Sequence, residues 1–335
     1  MKAQNIIGQS TAFLAALDKT SQLASIERPV LIVGERGTGK ELIAQRLHYL
    51  SKRWQQPLVA LNCSTLSEGL IDSELFGHES GAFTGSKGQH KGRFERAENG
   101  SLFLDELATA PLSVQEKLLR VIEYGEYERV GGQKTLHANV RLICATNANL
   151  PELATQGTFR ADLLDRLAFD VIHLPPLRQR IEDISLLAEH YAIQMCQELG
   201  FAYFSGFSSH AEKSLLDYPW PGNVRELKNV VERAVYQHGE QTTPIQNIVF
   251  NPFNSSDVVT CTQSETIQPP AKTELSLPID YKQWQSEGDI NVLNQSLQEA
   301  KYNQRNAAKL LGLSYHQFRG MLRKYDMIGK DNHNE

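Results

Sequence analysis

The run Val30-Leu31-Ile32-Val33 passes directly into Gly34-Glu35-Arg36-Gly37-Thr38-Gly39-Lys40-Glu41, and this junction constrains the fold more than any other stretch of the chain. An apolar strand, a glycine-rich turn and then a helical pattern aim backbone N–H groups at an anion on the helix N-terminus. The lysine reaches the outer phosphates of a nucleotide. Gly34, Glu35, Arg36, Gly37, Thr38, Gly39, Lys40 and Glu41 are therefore expected to cradle ATP. One position departs from the usual pattern, because Glu41 stands where a Ser or Thr hydroxyl would ligate Mg²⁺. Thr38 precedes the lysine and is no evident replacement, so metal ligation shifts to another carboxylate, to water and to the phosphates.

Similar apolar runs recur at 29–33, 58–61, 101–104, 140–145 and 169–174, with helical patterns between them. The alternation predicts an α/β fold, a parallel sheet with helices on both faces. Helical periodicity takes over from about 181 to 237, as in an α-helical lid. From 239 the pattern fails in a stretch rich in Thr, Ser, Gln and Pro, which reads as a linker. The expected organisation is an α/β ATPase subdomain at 1–172, a lid at 173–238, a flexible linker at 239–280 and a small all-α unit at 281–335. A chain of 335 residues is long enough for one large domain and one small one.

Ser101-Leu102-Phe103-Leu104 runs into Asp105-Glu106. At the carboxyl end of a strand in such a sheet, both carboxylates face the ligand crevice. Asp105 is expected to hold Mg²⁺ and Glu106 to polarise the attacking water. Asn62 and Asn147 end neighbouring strands. Arg160 and Arg166 are six residues apart, about 240° around one continuous helix, so a single helical face cannot aim both at one phosphate. Asp162 and Asp165 are their alternative partners. Arg225 lies in the lid segment Trp220-Pro221-Gly222-Asn223-Val224-Arg225-Glu226-Leu227.

Between 77 and 92 the chain carries five glycines among His, Glu, Ser and Lys residues. Such a segment builds no core, and Gly81-Ala82-Phe83-Thr84-Gly85-Ser86 predicts an exposed loop tipped by an aromatic. Farther on, Ile290, Leu293, Leu297 and Ala300 share a helical face. Asn303–Leu311 follows, then Gly312 as a turn and Ser314 as an N-cap. Phe318, Met321 and Leu322 are expected to pack inward. Residues 301–325 hold six Lys or Arg and no Asp or Glu, a local basic surface in a chain of net charge -5. Arg305, Ser314, Tyr315, His316, Gln317, Arg319, Arg323 and Lys324 are the expected DNA-facing residues, with the second helix of a helix-turn-helix in the major groove. A protein-docking helical hairpin is the alternative.

Glu74-Leu75-Phe76-Gly77-His78-Glu79, leading into Gly-Ala-Phe-Thr-Gly, resembles the bacterial enhancer-binding activators of sigma-54 RNA polymerase. The resemblance spans about residues 5–240, and the tail is similar to a Fis-like DNA-binding unit. It implies an AAA+ ATPase that assembles into a ring, a hexamer, and uses ATP and Mg²⁺ to remodel the closed promoter complex. It also assigns Phe83 and Thr84 to sigma-54 contact, Asn147 to nucleotide sensing, Asn62 to restraint of Glu106, Arg160 and Arg166 to the neighbouring subunit's γ-phosphate, and Arg225 to the nucleotide of its own subunit. Ser86 departs from the family's usual Ala. The ATPase begins near Ile6-Ile7-Gly8-Gln9-Ser10, leaving no room for a sensor domain. That layout implies control by an inhibitory partner acting in trans, for which Trp54 is a candidate anchor, with packing on the sheet as its alternative. A repressor on an AAA+ scaffold with little ATPase output, or a chaperone without DNA binding, are the rival functions.

The four cysteines are widely spaced, with no CxxC pair, as expected of buried thiols in a reducing cytoplasm. No signal-peptide pattern or membrane-length apolar run is present. A soluble protein acting at the nucleoid is the expectation.

Overall fold

The computed structural model describes residues 6–82, 88–252, 281–300 and 303–325. The chain divides into two compact units, Met1–Val258 and Val259–Glu335. The first begins with α1 (Thr11–Ala24), β1 (Val30–Val33), α2 (Lys40–Tyr49), β2 (Leu58–Asn62), α3 (Glu68–Phe76) and the short α4 (Arg93–Arg96). It continues through β3 (Ser101–Asp105), α5 (Leu112–Tyr124), β4 (Glu126–Glu128), β5 (Thr135–His137) and β6 (Arg141–Thr146). After α6 (Leu150–Thr155), α7 (Ala161–Leu167) and β7 (Val171–His173) come the lid helices α8 (Glu182–Leu199), α9 (Ser209–Asp217) and α10 (Asn223–His238).

Five strands form a parallel sheet in the order β2-β3-β6-β1-β7. Successive side chains serve opposite faces: Leu102 and Leu104 join one core cluster and Phe103 the other, while Val30 and Ile32 oppose Leu31. Helices cover both faces, which is why these strands read as unbroken apolar runs. The predicted strands at 29–33, 58–61, 101–104, 140–145 and 169–174 all appear, the last shortened to Val171–His173. The antiparallel pair β4–β5 was not foreseen, because each strand is three residues long with a single apolar residue, Tyr127 or Leu136, too short to show alternation.

Arg141 opens β6 and is buried. Its guanidinium donates to the carbonyls of Leu23, Ala24 and Leu47 at 2.7, 3.0 and 3.4 Å, satisfying the ends of α1 and α2. The lid has its own core, with Leu227, Val230, Val231, Ala234 and Val235 at helical spacing around fully buried Trp220.

One boundary is corrected. Residues 239–252, expected as linker, pack onto the lid: Ile245 is buried, and Phe250 stacks on Tyr218 with ring centroids 4.3 Å apart. Ile248 packs there too, but three anchors in a stretch without helix or strand leave too short a pattern to read. Residues 253–280 lie outside the described ones.

The second unit comprises α11 (Tyr281–Glu299), α12 (Gln304–Leu310) and α13 (Tyr315–Lys324). The first of these starts earlier than the expected 290. Leu293, Ala307, Ala308, Phe318 and Leu322 form its core, with Leu297, Ala300 and Met321 against them. Asn303 caps α12, Gly312 turns at φ 65°, and Ser314 with Gln317 closes a capping box on α13. Among the described residues, Cys63, Cys144 and Cys196 are buried free thiols, and no helix is long and apolar enough to cross a membrane. Cys261 lies outside them.

Candidate functional site

The glycine-rich loop joins β1 to α2 where Gly37 and Gly39 adopt φ of 80° and 100°, a region that L side chains avoid. Lys40 begins α2 and is 7% exposed, its Nζ donating to the carbonyls of Gly34 and Glu35 at 3.0 and 3.3 Å. Thr38 is buried and donates its hydroxyl to the Glu35 carbonyl at 2.8 Å, so it braces the loop. A cavity of about 720 Å³ lies over the carboxyl ends of β2, β3 and β6, lined by Lys40, Asp105, Glu106, Asn62, Asn147 and Arg225. Arg36, Gly37, Gly39 and Glu41 border it too, so strands, loop and lid converge on the predicted residues.

Inside the cleft the two neighbouring carboxylates have different partners. Asn62 donates its amide to Asp105 Oδ2 at 3.0 Å, whereas Glu106 lies 3.7 Å from Lys40. In this structure the Asn62 amide thus faces Asp105, and Glu106 faces Lys40. Sequence could not separate the two carboxylates, because register alone decides which one faces Asn62, and β2 pairs with β3 so that Asn62 opposes Asp105. Glu106 adopts φ 52°, a left-handed conformation that non-glycine residues hold only under constraint. Beneath the pair, burial and the two carboxylates push the Cys63 thiol up to about 12, so it stays protonated.

Arg160 and Arg166 do not share a helix. Arg160 is the extended N-cap of α7 and pairs with Asp162 at 2.6 Å, as its alternative allowed. Arg166 pairs with Glu123 at 2.8 Å instead of Asp165. The helical-angle argument thus fails at Arg160, whose ψ of 127° lies outside the helix.

The lid grips the loop through residues to which the sequence reading gave no role. Arg178 holds both oxygens of Glu35 at 2.8 and 2.6 Å and, with Asn223, draws that carboxyl down to about 2. Arg180 stacks over Phe13 and donates to the Thr38 carbonyl at 3.1 Å. Buried Asp183 accepts from Gln9 N, Ser10 N and Ser10 Oγ, fastening the segment that follows Ile6 and Ile7. A second cavity of about 710 Å³ adjoins the first at Gly39, Leu42 and Tyr191, and Ile6, Ile7 and Val224 give it apolar walls suited to a flat base.

Below the predicted loop, His78 and His90 form an antiparallel bridge with stacked rings. Arg129 donates to Glu79 at 2.7 Å on one side and to Glu95 of α4 at 2.9 and 2.7 Å on the other, which holds Glu95 below the usual carboxylate range. The loop base is thereby tied to the helix that leads into β3. Gly81 is exposed, and Ala82 packs close to Gly131. Phe83, Thr84, Gly85 and Ser86 lie outside the described residues.

Over residues 6–173 the chain matches the sigma-54 interaction domain, and over 178–257 the AAA+ ATPase lid domain. It is 58% identical over 326 residues to the Psp operon transcriptional activator of Escherichia coli (strain K12), covering 96% of this chain and 98% of that one. The chain belongs to the sigma-54-dependent activators.

Like other members of that family, it is an AAA+ ATPase that uses ATP to activate sigma-54-dependent transcription. It is also 48% identical over 233 residues to the Nif-specific regulatory protein of Azospirillum brasilense, with 70% of this chain and 37% of that protein covered. Its fold is similar to NtrX from Brucella abortus in complex with ATP, with a TM-score of 0.69 at 28% identity over 96% of this chain and 70% of that one.

In this activator's second unit, His316, Gln317, Arg323 and Lys324 are exposed on α13, with Arg305 exposed on α12 and 5.8 Å from the Tyr315 ring. Tyr315 and Arg319 are half-buried. Gln317 Oε1 accepts from Ser314 N and Oγ, so this side chain also serves the cap. The predicted face is thus assembled on two short helices, and Lys301 lies outside the described residues. Trp54 is 56% exposed, and Tyr49 and Leu50 are exposed as well.

Proposed function

We propose that this activator binds enhancer DNA through α12 and α13 and forms a ring, a hexamer, whose subunits complete one another's active sites. The observation that carries the reading is the convergence of Lys40, Asp105, Glu106, Asn147 and Arg225 on one cleft. Lys40 meets the β- and γ-phosphates, Glu106 takes up the proton of the attacking water, Asn147 reads the γ-phosphate, and Arg225 contacts the nucleotide from the lid. Mg²⁺ fits the site, because Asp105 presents a hard carboxylate held by the Asn62 amide and the Glu106 N–H. The ion would neutralise phosphate charge, and with Glu41 exposed at the rim, phosphates and water complete its shell.

Arg160 and Arg166 act on the neighbouring subunit's γ-phosphate, and the Phe83-Thr84 tip meets sigma-54. The exposure of Trp54, with exposed Tyr49 and Leu50 close by in sequence, supports docking of an inhibitory partner in trans. The genes served are of the phage-shock, membrane-stress class, a reading supported by the likeness to the Psp operon activator. The work takes place in the cytoplasm at the nucleoid.

The test is open-complex formation on a sigma-54 promoter with hydrolysable nucleotide. Lys40→Ala and Glu106→Ala are expected to abolish it, and retained activity in either would sink the mechanism.

A further inference from the structure

Asn223 is where the lid's last helix meets the phosphate loop. It is fully buried at 0% exposure and uses both polar atoms of its side chain. Its Nδ2 donates to Glu35 Oε2 at 3.1 Å and to the Arg36 carbonyl at 3.0 Å, and its Oδ1 accepts from Leu177 N at 2.7 Å. Its φ of 52° is one that asparagine tolerates better than other side chains with a Cβ. The contact leaves no slack: a Cβ on Gly37 would lie 2.2 Å from the Gly222 carbonyl oxygen and 3.1 Å from Arg225 Cβ.

Glu35 is otherwise hard to account for. A carboxylate in a loop that receives polyphosphate repels the ligand, and its two oxygens are spent on Arg178 and Asn223. A residue so engaged serves the joint between loop and lid.

We propose that Asn223, with Glu35 and Arg178, is a positioning set that registers Arg225 against the phosphate loop. Arg225 lies two residues beyond Asn223, on the first turn of α10, so the Asn223 contacts fix the start of the helix that carries it. The arrangement makes the lid report nucleotide through one rigid corner. It rests on the reading of Arg225 as a nucleotide-facing residue.

The experiment compares steady-state ATP hydrolysis by the full chain as wild type, Asn223→Gly, Arg225→Ala and the double variant. Glycine keeps the positive φ and removes the side chain with its amide. Each single change is expected to lower kcat on the order of tenfold, with KM for ATP moving less. The double variant is expected to fall within about twofold of the weaker single one, because residues acting through one route are not additive. A loss that multiplies to about a hundredfold, as independent structural damage gives, overturns the proposal, as does wild-type turnover in Asn223→Gly. Should that variant fail to fold, Glu35→Ala replaces it in the same cycle at a partly exposed site, with the same non-multiplying pattern expected and a multiplying loss again fatal. Wild-type turnover in Arg225→Ala removes the Arg225 reading and this route with it. Failed open-complex formation by a protein that hydrolyses ATP normally overturns only the proposed function.

Discussion

Asn62 donates to Asp105 Oδ2 at 3.0 Å, while Glu106 stands 3.7 Å from Lys40. The two neighbouring carboxylates therefore have separate custodians, one orienting the oxygen that suits a metal and the other facing a cation. Asn62→Ala is expected to raise the Mg²⁺ concentration for half-maximal hydrolysis by about tenfold, the usual cost of losing a group that orients a metal ligand. Glu106→Gln is expected to abolish turnover while leaving nucleotide binding in Mg²⁺ unchanged. Titrating Mg²⁺ in an ATPase assay separates the two, and equal Mg²⁺ dependence in wild type and Asn62→Ala would contradict the pairing.

Arg166 is held within its own subunit by Glu123, in a pair whose arginine side chain is 59% exposed. Work on a neighbour requires that pair to open. An exposed ion pair is worth under about 1 kcal/mol, so Glu123→Ala should raise turnover by up to about threefold at low protein concentration and leave it unchanged once assembly saturates. Specific activity measured against protein concentration checks this. Arg166→Ala should flatten the same curve at the bottom.

Arg129 bridges Glu79 at the loop base to Glu95 on α4. Its removal is expected to separate hydrolysis from output. Arg129→Ala should keep ATPase activity within about threefold while open-complex formation falls about tenfold or more, in the ordinary range of coupling energies between sites. Parallel loss of both activities would show that the bridge supports the active site itself.

His48 is 2% exposed, with Nδ1 2.9 Å from the Ser101 hydroxyl, and burial holds it below its usual 6.5. A base depressed in the folded state stays neutral there and takes its proton on unfolding, so its contribution is full above 6.5 and is lost as pH falls through and below that value. His48→Asn keeps a hydrogen-bonding atom toward Ser101 but cannot ionise. Between about pH 7.5 and about pH 5.5 the variant should show a smaller drop in Tm than the wild type, by thermal denaturation. Equal slopes would remove His48 as a source of the acid sensitivity.

The sheet and the cleft were legible in the sequence because three neighbouring strands carry apolar runs that end in polar residues lining one cavity. Leu61 gives way to Asn62, Leu104 to Asp105, and Thr146 to Asn147, so one rule located both the fold and the crevice. The failures share a different cause. Nothing local distinguishes Asp105 from Glu106 as the partner of Asn62, since register across two strands decides it. The ψ angle that takes Arg160 out of α7, and the reach of Arg166 to Glu123 on α5, are likewise tertiary. The role of Asn223 was hidden inside a quoted segment, where a Pro-Gly-Asn turn ahead of a helix was the available signal. Residues 239–252 were not legible because their few apolar anchors, Ile245, Ile248 and Phe250, follow a polar run and form no helix or strand.

The packing of that last stretch brings the end of the lid back to the nucleotide cleft. The described path of the first unit ends at Pro252, which lines a cavity with Arg36, Arg225, Tyr218 and Phe250. The stretch after α10 therefore ends beside Arg225, on the aromatic stack of Tyr218 and Phe250, and not at the far end of α10. A change in how Phe250 packs would be felt at the same corner that carries Arg225.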